Sequence, residues 1–455
     1  MFAHSKSALM ALFATLIFSS MGFAQVEDFT SKLKSPDAAT RKGAAYSLGR
    51  MGPTARAAVP ELITALKDTD QTVRRSVAIA LGNMGPAARA AIPALTEAFK
   101  TSDVRVKRAS AFALSTMGPL ARQSASALAE AVADKDTGLR VSVAAALAAI
   151  GASAKETVPT LQAMLKDEDL IVRQTAVQGL GKLGANAGPA IIDMSALLSD
   201  TDSTLRAQTA TALGMLGLAS RSAIGGLTKA LDDKEEMVRQ AAIASLGKLG
   251  SSSRSAVPAI AKALKEENPE MRYAAAYALA EIGRDARAAV SALTAALSDP
   301  DQEVVRECIY ALGEIGPDAK DALPELAKFF KHPSADIRKD AIDAVSVMGP
   351  AAAALSTALG EILSNDKNDH IRLAAAYALN EIGAGARPAV ITVVEALKSD
   401  TYIGVREECA HALGSIGFAG PTVLNALKEA TKSDDLGVSQ AAKMALESLP
   451  KPDND

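Results

Sequence analysis

The sequence predicts an all-α protein, a solenoid of about thirteen two-helix repeats. Three observations carry that prediction. A basic slot recurs at Arg41, Arg74, Lys107, Arg140, Arg173, Arg206, Arg239, Arg272, Arg338, Arg372 and Arg406. Val305 and Ser439 occupy the same register, and the steps are 33 residues except for two of 34, into Arg372 and Arg406. A glycine follows eleven residues later in twelve of the thirteen copies, from Gly52 to Gly417, and Pro450 stands there in the last. Between slot and glycine, apolar residues recur at −1, +3, +7 and +10, as in Val73, Val77, Leu81 and Met84. At about 100° per residue these form one stripe of a helix. Alanine at most +4 and +6 positions lets a neighbouring helix come close, and the glycine supplies a left-handed closing residue.

The chain opens with a different kind of sequence. Residues 1–24 read as a secretory signal peptide: His4 and Lys6 precede the apolar run Ala8–Phe18, and Gly22 and Ala24 are small residues at −3 and −1 of a cut. The run is too short for a settled membrane span, and no later stretch resembles one. The mature chain is expected outside the cytoplasm, in the periplasm or extracellular, without membrane insertion after cleavage. Cleavage leaves 48 basic and 52 acidic residues, a formal charge of −4, which gives no broad nucleic-acid footprint.

Residues 25–450 form the solenoid. Phe29 and Leu33 lie one period before Leu62 and Leu66, so Gln25–Lys34 holds the first helix of the first repeat. Later units open with a helix such as the one around Pro60; Pro93, Pro159, Pro258 and Pro324 share its register, suited to a first turn that needs no N–H. An acidic turn follows, with Asp-x-Asp pairs at Asp68/Asp70, Asp134/Asp136, Asp167/Asp169, Asp200/Asp202 and Asp299/Asp301. Calcium uses such carboxylates, but no EF-hand loop or glycine-rich nonapeptide is present. The simpler assignment is an N-cap at the second aspartate and a partner for the arginine helix at the first. The arginine helix then closes the unit. The polar tail 451–455 is predicted to be disordered.

Pro60, Asp68, Val73 and Arg74, with their copies, resemble the HEAT-repeat pattern, and the Ala-Leu-Gly-x-Ile/Met-Gly-Pro endings resemble the phycobilin-lyase-type subgroup. The resemblance covers residues 26–449. It implies a right-handed α-solenoid with the arginine helices along the concave side. It also implies a hydrogen-bonded ladder between repeats, built from Asp68, Arg74, Asp134, Arg140, Asp167, Arg173, Asp200, Arg206, Asp233 and Arg239. The ladder arginine is lost at Val305, beside Arg306, and at Ser439. Both 34-residue steps come from one extra residue, assigned to the acidic turns within Asn365–Asp369 and Ser399–Gly404.

Chemistry is sparse. Cys308 and Cys409 occupy the +3 core slot three repeats apart, too far for a disulfide, and read as buried free thiols. His332, His370 and His411 show no metal-ligand or catalytic spacing. No metal and no cofactor are expected. One column resists a structural explanation. The +5 slot points about 145° from the apolar stripe, yet holds Tyr46, Phe112, Tyr277, Tyr310 and Tyr377. Glu281, Glu314 and Glu381 stand four residues after the last three, and Tyr273 shares their face. In the amino-terminal half the +9 slot instead holds Arg50, Lys182 and Lys248, so the face divides into a sparse basic part and a tyrosine-rich acidic part.

The sequence thus predicts a non-enzymatic exported scaffold, monomeric, that binds a segment of another protein or a peptide in its concave groove. The candidate contact residues are Tyr273, Tyr277, Glu281, Tyr310, Glu314, Tyr377 and Glu381. Packing of these tyrosines between adjacent helices is the competing account. A tetrapyrrole (phycobilin) lyase-like or chaperone-like activity, by analogy with the subgroup, and a passive structural spacer are the alternatives.

Overall fold

A computed structural model describes residues 23–151 and 155–450. Most of the signal-peptide segment, residues 1–24, and the tail 451–455 lie outside the described residues. The described residues contain helices and turns and no strand. By internal contacts the chain divides into two compact units, residues 1–226 and 227–455.

In the first unit the arginine helices are Ala38–Met51, Gln71–Met84, Val104–Met117, Thr137–Ile150, Leu170–Lys182 and Ser203–Met215. In the second they are Glu236–Lys248, Pro269–Ile282, Gln302–Ile315, Ala335–Val347, Asp369–Ile382, Ile403–Ile416 and Leu436–Ser448. Aspartate caps most of them. Asp70, for example, accepts from the N–H groups of Thr72 and Val73, and Asp103 from those of Arg105 and Val106. The predicted stripe is the core: Val73, Val77, Leu81 and Met84 are fully buried. The first helix of each repeat meets it with one leucine at a fixed register, Leu62, Leu95, Leu128 and Leu161, each also fully buried and worth roughly 1.5–3 kcal/mol.

Small residues set the distance between successive arginine helices. Within the first unit, a Cβ on Gly49 would stand 2.9 Å from Ala80 Cα, and one on Gly181 would stand 3.2 Å from Ala212 Cα. Within the second, Gly247 meets Ala278 Cα at 3.0 Å and Gly313 meets Ala344 Cα at 3.1 Å on the same construction. The backbones touch there, so the helices pack as closely as alanine and glycine allow.

Two local predictions are corrected. The closing glycines do have positive φ, but Gly52 (57°, −138°), Gly85 (55°, −134°) and Gly283 (64°, −136°) are not left-handed helical; Gly417 (69°, 22°) is. This mirror-extended conformation is closed to side chains bearing a Cβ, which makes the position more glycine-specific than a left-handed cap. The stretch after the glycine is itself helical. Gly52–Ala58 and Gly85–Ala91 are 3-10 turns, the first broken at Ala55 (φ −88°, ψ 18°). Proline at its start supplies the φ that such a turn needs.

Second, the extra residue of the 34-residue repeats lengthens the first helix rather than the acidic turn. Asp68 N–H closes on Ala65 O, an i−3 bond. Asp366 N–H reaches Ile362 O and Asp400 N–H reaches Ala396 O, both i−4 bonds at 3.0 Å. The helices Ser356–Asn365 and Val390–Ser399 absorb the residue as regular α-turn, which strains nothing.

Candidate functional site

The ladder is a set of forked arginine contacts. Arg140 donates from Nε and Nη2 to both oxygens of Asp167, at 2.7 and 2.9 Å, and from Nη1 to the carbonyl of Asp134 at 2.8 Å. Each arginine thus holds its own turn by the carbonyl and the next turn by the carboxylate. Arg74 holds Asp68 O at 2.7 Å but Asp103 only at 3.5 Å; Arg173 holds Asp167 O at 2.8 Å and Asp200 at 3.5 Å. Arg206 holds Asp200 O at 2.9 Å, Arg239 holds Asp233 O at 3.0 Å, and Arg239 pairs with Glu266 at 3.0 Å. Asp134 joins through its carbonyl, while its Oδ1 accepts from Asp136 N–H at 2.9 Å. The lysine in the Lys107 slot has no fork to offer; the adjacent Arg108 takes Asp136 instead. Where Val305 replaces the arginine, His332 replaces the aspartate 27 residues on, so that rung lacks the arginine–carboxylate pair. His332 Nδ1 caps its own turn, accepting from Ser334 N–H at 3.2 Å.

The arginine carries its neighbours with it. The Arg41 fork holds the Asp68 carboxyl below its ordinary range, and Arg272 does the same for Asp299. Cys308 and Cys409 are free and fully buried, and burial pushes the Cys308 thiol up to about 12.

The tyrosine face lies in the second unit. Tyr273 and Tyr277, one turn apart on Pro269–Ile282, stack with ring centroids 6.4 Å apart and planes 17° apart. Tyr277, Tyr310 and Tyr377 are 47%, 53% and 48% exposed, so about half of each ring is open to solvent rather than lodged between helices. A cleft of about 540 Å³ opens beside the stacked pair, lined among others by Lys248, Tyr273, Tyr277, Glu281 and Glu303. Another of about 390 Å³ surrounds Tyr310, Glu307, Glu314 and Asp340. A third of about 560 Å³ takes in Tyr377, Asp343, His370 and Glu408.

Carboxylates dominate the local field. Glu281 raises the Tyr277 hydroxyl pKa, Glu307 that of Tyr273, and Glu381 that of Tyr377; at Tyr310 burial acts first and Glu314 second. All four phenols stay protonated donors. Two acids here escaped sequence reasoning. Glu307 and Glu408 occupy the +2 slot, are half-buried, and are pushed up by that burial. Oε1 of Glu307 is buried without a hydrogen-bond partner. Their signal was readable: the same slot holds Gly43, Ser76, Ala109 and Ser142 in the first unit. Arg306 pairs with Asp340 at 2.8 Å, and it and the Tyr273 hydroxyl offset only part of the burial of Glu307.

Among the described residues no cluster of His, Cys, Asp and Glu has the grouping to hold a metal, and no helix is long and apolar enough to cross a membrane. Paired helices stacked through alanine–glycine contacts and a forked arginine ladder define an α-solenoid repeat protein. The chain belongs to the HEAT-repeat family, whose pattern it matches over residues 26–115, 124–196, 193–259, 257–346, 290–380 and 356–447.

Solved structures show the same kind of likeness. A structure from work on a phosphorylation switch controlling the interaction between cadherin and beta-catenin is 15% identical, with a TM-score of 0.44 over 92% of this chain and 99% of that one. One from work on Kap95p binding to RanGDP is 14% identical, with a TM-score of 0.46 over 93% of this chain and 70% of that one. A crystal structure of importin beta is 13% identical, with a TM-score of 0.41 over 93% of this chain and 74% of that one. No curated protein matches the chain.

Proposed function

We propose that the protein is an exported, non-enzymatic scaffold whose second unit binds a basic segment of another protein across the tyrosine face. HEAT solenoids are a fold typical of protein–protein interaction scaffolds. The observation that carries the finer reading is the state of Glu307. Half-buried Glu307 acts on Tyr273, which stacks on Tyr277, and Glu281 and Glu303 line the cleft beside the pair, so negative charge gathers where a cation can approach. A lysine or arginine side chain there gains the carboxylate and the face of a half-exposed ring together, a contact worth about 0.5–2 kcal/mol for the ring alone. Tyrosine adds rigid contact area at low entropic cost. The site residues are Tyr273, Tyr277, Glu281, Tyr310, Glu314, Tyr377 and Glu381, joined by Glu307.

The test uses the chain's lack of tryptophan. Tyrosine emission then reports the face directly, since four of the six tyrosines lie on it. Titration with a lysine- and arginine-rich peptide is expected to change that emission. A Tyr277/Tyr310/Tyr377→Ala variant that keeps its helical signal is expected to lose binding of the fluorescein-labelled peptide. Equal binding by parent and variant rejects the site. Capture from the extracytoplasmic fraction then names the partner, and finding the chain only in the cytoplasm rejects export.

The lyase-like reading rests on the resemblance of the helix endings to the phycobilin-lyase-type subgroup. Visible absorbance of a bound pigment in the purified protein would favour it. The spacer reading predicts no binding by either protein.

A further inference from the structure

The six arginine helices of the first unit, from Ala38–Met51 to Ser203–Met215, contain no aspartate or glutamate at all. Every arginine helix of the second unit contains at least one. In the first unit acids stand in the first helices of the repeats, as Glu61 and Glu97 do, and at the N-cap positions and turns, where the ladder and the caps use them. The exposed face of the first three helices is therefore cationic by construction, and it is ordered. Lys42, Tyr46 and Arg50 stand at i, i+4 and i+8 on one helix, a single ridge one turn apart. Arg75 and Ile79 repeat that ridge on the next helix, and Arg108 and Phe112 on the third. Tyr46 is 64% exposed and Phe112 43%; Lys42, Arg50 and Arg75 are exposed. Arg108 is engaged with Asp136, but among the described residues no carboxylate pairs with the side chains of Lys42, Arg50 or Arg75.

We infer that this face is a second docking site, for an acidic peptide segment that carries apolar side chains. It goes beyond the basic-segment site of the second unit and does not depend on it. The grid selects the ligand class. A row of cations runs beside a row of large apolar groups, about 5–6 Å away along each helix. Neighbouring ridges are separated by the helix spacing, about 8–10 Å. A peptide in the polyproline II conformation has three residues per turn and advances about 3.1 Å per residue, so carboxylates at every third residue share one face about 9 Å apart and meet successive cations. Apolar side chains between them reach Tyr46, Ile79 and Phe112. A single-stranded nucleic acid fits less well. Its bases stack on aromatic rings at successive base steps, whereas Tyr46 and Phe112 stand two repeats apart with Ile79 between them.

The test is fluorescence anisotropy with the whole mature chain and a labelled twelve-residue peptide bearing glutamate every third residue and leucines between. Saturable binding is expected, weakening as salt is raised from 50 to 300 mM because the contacts are solvent-exposed charges. A Lys42/Arg50/Arg75→Gln variant is expected to bind this peptide about tenfold more weakly or worse. The same variant keeps its affinity for the basic peptide of the second unit, so failure of either site is seen separately. An Arg75→Glu single variant gives the same direction should the triple variant lose helicity. The inference is overturned if the acidic peptide binds no better than a glutamine-for-glutamate control, or if the variants bind it unchanged. It is also overturned if a dT12 oligonucleotide binds more tightly, which would make the face a nucleic-acid site. Salt-sensitive self-association of the chain without any peptide would likewise overturn it, by assigning the face to a second copy.

Discussion

Arg140 and Asp167 face each other through two parallel hydrogen bonds, with side chains only 6% and 9% exposed. The guanidinium also closes its own turn on Asp134 O, so one side chain ties two consecutive repeats to the same point. Removing it leaves a buried carboxylate without its forked partner, with only the more distant Arg173 charge acting on it. Arg140→Ala is expected to destabilise the first unit by about 3 kcal/mol in urea unfolding, and Arg140→Lys by a large part of that, because an ammonium cannot form the fork. A loss within experimental error for Arg140→Ala would show that the rung adds nothing.

The ladder and the tyrosine face respond to acid with opposite signs. Asp68, Asp167, Asp299 and Asp400 have folded pKa values below the unfolded one, so their stabilisation is present above about pH 4 and is lost as pH falls through the folded values. Glu307 is raised, so its ionisation weighs against the fold increasingly from the unfolded glutamate value upward, and fully above its folded value. Glu307→Gln is expected to melt higher than the parent at pH 7, with the difference shrinking as pH falls through the folded value and gone below about 4.3. A lower melting point at pH 7 would mean that Glu307 is compensated.

Two glycines separate packing from helix propensity. At Gly247 a methyl group falls 3.0 Å from Ala278 Cα, with backbone that cannot turn aside; Gly247→Ala is expected to cost about 1–3 kcal/mol. Gly43 lies inside the helix Ala38–Met51 with nothing within 4 Å of the added atom. Gly43→Ala is expected to stabilise by about 0.5–1 kcal/mol. Equal effects at both positions, measured by thermal melts, would refute close helix contact as the reason for the regular spacing of small residues along the chain.

Tyrosine ionisation reads the acidic field without any ligand. Absorbance at 295 nm is expected to show Tyr273, Tyr277, Tyr310 and Tyr377 titrating above the ordinary tyrosine range. A Glu281/Glu314/Glu381→Gln variant is expected to titrate at lower pH, since neutral neighbours no longer oppose the phenolate. An unmoved curve would place these carboxylates too far from the hydroxyls to matter.

Neither cysteine is expected to react with a thiol reagent in the native protein at pH 8. Burial holds Cys308 near 12 and Cys409 well above its ordinary value, so almost no thiolate is present. Both react once the chain is unfolded in urea. Rapid labelling of the native chain would contradict the buried +3 assignment.

Period, stripe and closing glycine were legible because each repeats and each answers to a local rule. Apolar residues at −1, +3, +7 and +10 make a buried face in any helix, and the positive φ at Gly52 or Gly283 follows from the chain having to reverse there. The mirror-extended ψ at those glycines was not legible, because φ > 0 alone admits several ψ values and only the following 3-10 turn selects one. The extra residue before Asp366 was placed in the wrong element for a related reason. Spacing counts residues, but hydrogen bonding decides whether one more extends a helix or bulges a turn.

The candidate site divides the same way. The sequence by itself determined that the chain is a HEAT-repeat solenoid and that Tyr277, Tyr310 and Tyr377 share a register with glutamates one turn on, because helical periodicity fixes which side chains share a face. Only the tertiary structure decided that half of each ring is open to solvent, that Glu307 from the next helix stands against Tyr273, and that Arg306 turns away to Asp340. Those relationships join residues 33 or more positions apart, and their distances depend on how closely two alanine-lined helices pack, which no single repeat contains.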